Sequence, residues 1–203
     1  MCYNKPKFFE KEIGIMPSKV YFTRTLTSEK VVELYRALGI SLPGKVAVKL
    51  HSGEEGNQNF LGPDFWKPMI EAVSGTVVEC NTAYEGSRNT TKKHLATLEK
   101  HGWSKHFHVD LLDAQGPDMV LDIPDGHEIH KNYVGKDMAN YDSMLVLSHF
   151  KGHPMGGFGG ALKQLSIGCA SSYGKAYIHG AGDPAQIWTA DQDSFLESMA
   201  DAA

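Results

Sequence analysis

The sequence predicts an α/β fold: a mostly parallel sheet with helices on both faces and some antiparallel strand or hairpin content. Short apolar runs bounded by glycine or proline alternate with stretches of helical period along much of the chain, which is the order that βαβ units produce. Between two of the later strand-like runs, Asp125 and Gly126 are typical of a hairpin turn. We expect residues 1–16 to be an N-terminal extension and residues 17–203 to form a single α/β domain.

The composition limits the classes of partner. The chain has 203 residues, 41% of them hydrophobic, which is enough for one domain with a substantial core. Its formal net charge is -4, and no basic face is visible, so nucleic acid is not expected as a partner. The longest apolar runs have only about five residues, far short of a bilayer span. We therefore expect a cytoplasmic protein with a small-molecule ligand and no membrane partner.

The first half of the chain begins with a strand-like run at 20–23. A helix follows, with Thr27 or Ser28 as its N-cap and Gly39 after its last residue. The alternating segment 45–51 predicts a strand. Pro63 then suits the first turn of a helix that extends to Ser74, although Pro68 should kink or shorten it.

The second half continues the alternation of strands and helices. The patterns predict a strand at 76–80, a helix at 91–101, strands at 109–112 and 119–123, a hairpin turn at 124–131, a short helix at 136–141 and a strand at 144–147. A further strand is expected at 175–179, and a last helix should begin near Asp191.

The glycine-rich segment 148–172 is the most informative part of the chain, and it predicts a strand exit, a turn and a helix. Gly156, Gly157, Gly159 and Gly160 would let the backbone approach a ligand or cofactor. The run fits neither GxGxxG nor GxxxxGK[ST], so it does not carry a nucleotide signature. Lys163, early in the following helix, could hold a phosphate or carboxylate or act as an amine nucleophile; the alternative is a solvated surface lysine.

His149 and His153 flank this turn and are candidates for proton transfer, because histidine titrates near neutral pH. Their four-residue spacing would suit a metal pair only on a helix, which Gly152 and Pro154 disfavour. The alternative for either histidine is a hydrogen bond to a loop carbonyl. His94, His101, His106, His108, His127 and His130 are expected at the surface.

The strands at 45–51, 76–80 and 144–147 each run into a polar loop, and the carboxyl ends of parallel strands meet at one edge of a sheet. We expect Lys49, His51 and Arg88 to position a ligand there, with Arg88 able to clamp a carboxylate or phosphate. Adjacent Glu54 and Glu55 should point to opposite sides, so at most one would face the site.

Three segments carry a resemblance to a known family: VAVKLHSGEEGNQNFLGPDF, CNTAYEGSRNTTKKHL and LSHFKGHPMGGFGGALKQLSIGCASSYGK. They resemble the bacterial and archaeal family named domain of unknown function 362. Members of that family usually continue into a ferredoxin-like segment with iron–sulfur clusters. The three cysteines of this chain are scattered and include no CxxC pair, so no iron–sulfur cluster is expected within residues 1–203. The resemblance implies either a truncated form or a separate iron–sulfur electron donor.

The chain is also distantly similar to the lactate racemase family, which uses a nickel-pincer nucleotide. The resemblance implies an acid/base role for His153, a tether or anion-holding role for Lys163 and a metal-ligand role for His179. A metal-containing or nucleotide-derived cofactor would follow from it. No counterpart to that family's first catalytic histidine is identifiable.

Three hypotheses about function follow. The first is an enzyme domain that binds a small carboxylated or phosphorylated ligand, or a metal-containing cofactor, with His149, His153 and Lys163 in acid/base and anion-holding roles. The second is a redox-associated binding module of an iron–sulfur protein, inactive alone. The third is a structural or partner-binding domain whose glycine-rich loop is buried under a neighbouring subunit.

Overall fold

The structure is a computed structural model, and it describes residues 18–203. The predicted extension at 1–16 and Cys2 lie outside the described residues. The helices are α1 (Ser28–Ala37), α2 (Pro63–Ala72), α3 (Thr91–Lys100), α4 (Trp103–His106), α5 (Ala161–Leu165), α6 (Ser172–His179) and α7 (Gln192–Asp201). The strands are β1 (Val46–Lys49), β2 (Thr76–Glu79), β3 (Val109–Leu111), β4 (Met119–Asp122), β5 (Lys131–Val134), β6 (Ser143–Val146), β7 (Lys151–His153) and β8 (Gly157–Gly159). Short 3-10 helices occur at Lys136–Asn140 and Pro184–Gln186.

The central sheet has four strands in the order β3-β2-β1-β6, and every neighbouring pair is parallel. Val48 at the middle of β1 is in register with Val77 of β2 and Leu145 of β6. Because the strands are parallel, the loops that follow β1, β2 and β6 leave the sheet at the same edge. This confirms the predicted α/β class and the convergence of the three polar loops.

Apolar side chains cover both faces of the sheet. One face carries the larger cluster, in which Val48 and Val77 pack with Trp66, Leu98 and Trp103 from α2, α3 and α4. On the other face, a smaller cluster contains Ala47, Val78, Cys80 and Leu112. It packs against Met138 in the first 3-10 helix, Tyr141 just after that helix, and Met144 on β6. Strands that are buried on both faces have near-continuous apolar sequences, which is why β1 and β2 read as Val-rich runs.

The predicted antiparallel content is present as two hairpins. β4 pairs with β5 across the turn that contains Asp125 and Gly126, as expected. A Cβ on Gly126 would lie only 1.9 Å from the carbonyl oxygen of Ile129, so this turn needs glycine. The second hairpin, β7 with β8, was not predicted; it occupies the glycine-rich segment, and Gly157 at its turn has φ of 70°.

Two predicted strands are wrong. Residues 20–23 form no strand; Val20 and Phe22 are largely exposed and pair with no strand in the described part of the chain. Residues 175–179 belong to α6, whose N-cap Ser171 accepts a hydrogen bond from the backbone N–H of Gly174. Lys175, Ile178 and His179 are buried together at helical spacing, which fits a helix and not a strand.

The predicted helix starts are accurate. Thr27 caps α1 by accepting from the N–H of Lys30, and Asp191 caps α7 by accepting from Asp193 and Ser194. α2 continues through Pro68 and ends at Ala72, slightly before the predicted end at Ser74. Among the described residues, no helix is both long and apolar enough to span a bilayer.

Candidate functional site

A cleft of about 210 Å³ opens at the carboxyl edge of the parallel sheet. Its walls come from the loops after β1, β2 and β6, from the β7–β8 hairpin, and from α5 and α6. The predicted site residues that line it are Lys49, His51, Arg88, His149, His153, Gly159, Gly160, Lys163 and His179. Three loops, a hairpin and two helices thus bring the candidate residues to one place.

Gly156 and Gly157 are the two predicted site residues that do not line the cleft. They lie at the turn of the β7–β8 hairpin, where the positive φ of Gly157 requires glycine. Their predicted part in cofactor binding stays a prediction, while the turn gives them a structural role. The glycine-rich segment therefore forms a hairpin whose second strand, with Gly159 at its end, contributes to the cleft wall.

Glu79, at the end of β2, is the centre of a buried polar network that was not predicted. Its Oε2 accepts a hydrogen bond of 2.6 Å from Lys49, and its Oε1 accepts from the backbone N–H and hydroxyl of Ser52 at 2.9 and 2.8 Å. Arg88 forms an ion pair with Glu79 at 3.5 Å and a second one with Glu54. One carboxylate thus joins the ends of β1 and β2 to the loop that carries Arg88.

The charges in this network hold one another ionised. Burial by itself would raise the pKa of the Glu79 carboxyl, but the cations of Lys49 and Arg88 outweigh it and hold that pKa far below its usual range. Burial likewise acts to lower the pKa of Lys49, and the carboxylate of Glu79 reverses the direction and raises it. Lys49 therefore lines the cleft as a cation that is already paired.

Trp103 also holds the loop after β1 in place. The indole Nε1 of the fully buried Trp103 donates to the carbonyl oxygen of Ser52 at 2.9 Å. His51, one residue earlier, faces the cleft, and burial together with the nearby Arg88 lowers its pKa to about 4. His51 is consequently uncharged at neutral pH.

Of the two adjacent glutamates, Glu54 lines the cleft and pairs with Arg88, whereas Glu55 pairs with Lys100 on α3. Only one of them faces the site, as the sequence led us to expect.

Lys163 differs from the other lysines of the cleft. Its side chain lies beside β8, where a Cβ on Gly159 would be 3.7 Å from the Lys163 Cδ. Burial, followed by the repulsion of Lys151 and Lys175, lowers the pKa of Lys163 to about 8. Within the described part of the chain it forms no hydrogen bond or ion pair through its side chain, so its nitrogen is available to a ligand.

Lys175 also lines the cleft and was missed by the sequence reasoning, which placed it in a strand. It is buried, and its Nζ donates to the carbonyl oxygen of Ala170. Burial lowers its pKa. The helical spacing of Lys175 and His179 on α6 was the signal that could have placed both side chains on one face.

His153 has a defined tautomer. Its Nδ1 accepts the backbone N–H of Gly156 at 3.0 Å, so the proton of the neutral ring sits on Nε2. Burial and the neighbouring Lys163 lower the pKa of His153 to about 4, which keeps the ring neutral. His153 thus offers the cleft an N–H donor.

His179 has the opposite tautomer. Its Nδ1 lies 2.7 Å from the carbonyl oxygen of Lys175, one helical turn earlier, and must donate to it, which leaves a lone pair on Nε2. The ring stacks on Phe195 with 5.1 Å between centroids, and burial lowers its pKa. His179 thus offers the cleft an acceptor, or a single metal ligand.

The cleft as a whole carries an excess of positive charge. Its lining contains five cationic side chains, Lys49, Arg88, Lys151, Lys163 and Lys175, and two carboxylates, Glu54 and Glu79. The histidines with lowered pKa values add no charge at neutral pH. The arrangement is electrostatically suited to an anion.

The donors for a metal ion are sparse. Among residues 18–203, no three His, Cys, Asp or Glu side chains are grouped so that they could hold a metal ion. A metal bound at His179 would therefore need ligands from a cofactor or substrate. Cys80 and Cys169 are buried, and burial raises the pKa of Cys80 to about 12 and also raises that of Cys169, so neither thiol is activated. The predicted iron–sulfur partner stays a prediction.

His94 corrects one of the surface predictions. It is fully buried, and its Nδ1 lies 3.2 Å from the amide oxygen of Asn81. The polar sequence around it misled the prediction, because on α3 the ring turns inward with Thr97 and Leu98. Burial lowers the pKa of His94 to about 4.

Comparison with known protein families identifies the family of this chain. The family model described as "Domain of unknown function (DUF362)" matches residues 46–203, which include all four strands of the central sheet and every residue that lines the cleft. No curated protein matches the sequence, and no solved structure matches it. From Val46 to its last residue, the chain belongs to the DUF362 family.

Proposed function

We propose that this chain is an enzyme domain that binds a small carboxylated or phosphorylated compound in the cleft and moves a proton on it. The observation that carries the proposal is the charge of the lining, in which five cations face two carboxylates while the lowered pKa values of His51, His153 and His179 keep these three rings neutral. Lys49 and Arg88 are already paired with Glu79 and Glu54. In the described part of the chain, the cations of the cleft that have no carboxylate partner therefore lie on the β7–β8 hairpin, α5 and α6.

The ligand is expected to be compact. A cleft of about 210 Å³ is smaller than the roughly 300–1,000 Å³ of sites for drug-sized ligands. A compound of a few heavy atoms with one anionic group fits both the volume and the charge. A complete nucleotide-derived cofactor fits this volume poorly, so no step is assigned to one.

Two histidines supply complementary proton-transfer groups. The Nε2–H of His153 can donate a hydrogen bond to an oxygen that gains negative charge, and Nε2 of His179 can accept a proton. Lys163 would hold the anionic group or, as the free amine, act as a base. His149, in the loop after β6, lines the same cleft and is a second proton-transfer candidate.

The experiment is isothermal titration calorimetry of inorganic phosphate and of oxalate against the full chain. Lys163→Met should weaken binding roughly tenfold to a hundredfold, since a hydrogen bond to a charged group contributes about 1.5–3 kcal/mol. Lys92→Met, on the exposed side of α3, is the matched control and should bind as the unaltered chain does. Equal affinities of the Lys163 and Lys92 variants, or no binding at all, would overturn the proposal.

A further inference from the structure

Four lysines line the cleft, and their nitrogens are in different situations. Lys49 is paired with Glu79, and Lys175 donates to the carbonyl oxygen of Ala170. Lys151 is exposed on β7. Lys163 is half-buried, and its side chain has no hydrogen-bond acceptor or carboxylate among the described residues. It is the cleft lysine whose nitrogen is both sheltered and free to react.

Lys163 lies beside the β7–β8 hairpin. It is the third residue of α5, and its stem lies beside Gly159, at the end of β8. A Cβ on Gly159 would be in ordinary van der Waals contact with Cδ of Lys163, so the Lys163 side chain passes close to β8. The side chain therefore extends from a short helix past the hairpin, and the cations that repel its amine line the same cleft.

The same environment makes the nitrogen nucleophilic. With its pKa lowered to about 8, Lys163 has far more of its side chain as the free amine near neutral pH than an ordinary lysine, whose pKa is about 10.4. The lone pair of a free amine is what attacks a carbonyl carbon. Charged Lys49 cannot do this, because its pKa is raised.

We propose that Lys163 forms an imine with the carbonyl carbon of a small anionic aldehyde or ketone held in the cleft. The proposal rests on the anion-binding function proposed above and adds the substrate class to it. When Lys163 reacts as the free amine, the carboxylate or phosphate of the substrate would be held by Lys151 and Lys175; when the bound anion has no carbonyl group to react, Lys163 contacts the anion with them.

The step balances without an oxidant or reductant. The lone pair of Nζ forms a bond to the carbonyl carbon, the π electrons of C=O move to oxygen, and a proton passes from nitrogen to that oxygen to give a carbinolamine. The second nitrogen proton and the hydroxyl then leave as water while the C=N bond forms. Nε2–H of His153 can stabilise the oxygen as it gains charge, and Nε2 of His179 can carry a proton from the nitrogen to the departing hydroxyl.

Reductive trapping tests the proposal directly. The full chain is incubated with sodium cyanoborohydride and either pyruvate, which supplies a carboxylate, or glyceraldehyde 3-phosphate, which supplies a phosphate. Intact mass and peptide mapping should show one adduct per chain, on Lys163, from at least one of the two compounds; which one reacts identifies the anionic group. Lys163→Arg should abolish the adduct while keeping the charge, and Lys92→Arg should leave it unchanged.

Binding of L-lactate and glycerol 3-phosphate tests the proposed anion-binding function separately from imine formation, because these compounds carry the anionic group but lack the reactive carbonyl. If either binds by calorimetry but no adduct forms on Lys163, the imine is overturned and the anion-binding function stands. If nothing binds and nothing is trapped, both are overturned. Adducts spread over many lysines of the unaltered chain also overturn the imine, and this mapping does not depend on the folding of any variant.

Discussion

The Nζ atom of Lys49 lies 2.6 Å from Oε2 of Glu79, and the two side chains are only 2% and 3% exposed. They stand at the ends of neighbouring parallel strands, and Glu79 also accepts from Ser52 and pairs with Arg88. The pair therefore holds together the floor of the cleft and the two loops beside it. A buried pair of this kind does more to fix geometry than to add net stability, since desolvation offsets much of its attraction.

Glu79→Gln should be strongly destabilising, because it leaves the buried ammonium of Lys49 without a counter-charge. We expect the free energy of unfolding to fall by about 3–5 kcal/mol in urea titrations. The double variant Lys49→Met with Glu79→Gln should recover part of this loss, since no unpaired cation remains on β1. Glu71→Gln, which removes an exposed ion pair with Lys67 on α2, is the control and should have little effect. A Glu79 variant as stable as the Glu71 variant would contradict the role of the network.

Gly174→Ala should destabilise the chain although alanine favours helices. A Cβ at this position of α6 would lie 2.0 Å from the backbone oxygen of Tyr133 on β5. Overpacking against backbone costs about 1–3 kcal/mol, which exceeds the gain of about 1 kcal/mol in helix propensity. Gly86→Ala has open space around it and is the control. Thermal unfolding of both variants decides, and equal midpoints would show that α6 can move away from β5.

Acid should destabilise the chain partly through His94. Its pKa is about 4 in the folded state and about 6.5 when unfolded, so between these values the unfolded chain binds more protons. Stability is lost as pH falls through this window, by about 2 kcal/mol between pH 7 and pH 5 for this one group. The variant His94→Gln should show a smaller loss over the same range in urea titrations. An unchanged pH dependence would mean that His94 is not held neutral.

The reactivity of Lys163 should follow its surroundings. Its rate of acetylation by a limiting amount of acetic anhydride, followed by peptide mapping, should rise with a midpoint near pH 8. Lys151→Met removes the largest charge effect on Lys163 and should move the midpoint to higher pH, because less repulsion opposes the ammonium form. Lys92→Met should leave the midpoint unchanged. A midpoint above pH 10 in the unaltered chain would contradict the burial of the amine.

The parallel sheet and the convergence of its loops could be predicted because apolar runs and glycine stops are local signals. Lys49, His51, Arg88 and His153 could be placed near one another for the same reason. Glu79 was missed. It lies in the apolar strand sequence TVVEC, two residues after Val77 and so on the same face of the strand, and a carboxylate at such a position indicates a buried partner.

The misplaced elements depended on a helix cap and a glycine turn, and the burial of His94 depended on tertiary packing. The sequence of residues 175–179 has no pattern strong enough to distinguish a strand from a helix. The N-cap at Ser171 begins a helix that includes them. The β7–β8 hairpin is so rich in glycine that its sequence has no strand pattern, and its pairing depends on the turn at Gly157. Exposure of His94 was judged from its neighbours in sequence, whereas its burial depends on how α3 faces the sheet.

The most direct test of the central claim, that this cleft binds a small anion, is a titration of the isotope-labelled chain with inorganic phosphate followed by two-dimensional amide NMR. We predict saturable shifts concentrated at Gly159, Gly160 and Lys163, with smaller ones at His153, and their loss in Lys163→Met. Shifts that do not saturate, or that centre on exposed lysines such as Lys92 while the cleft residues stay unchanged, would contradict it.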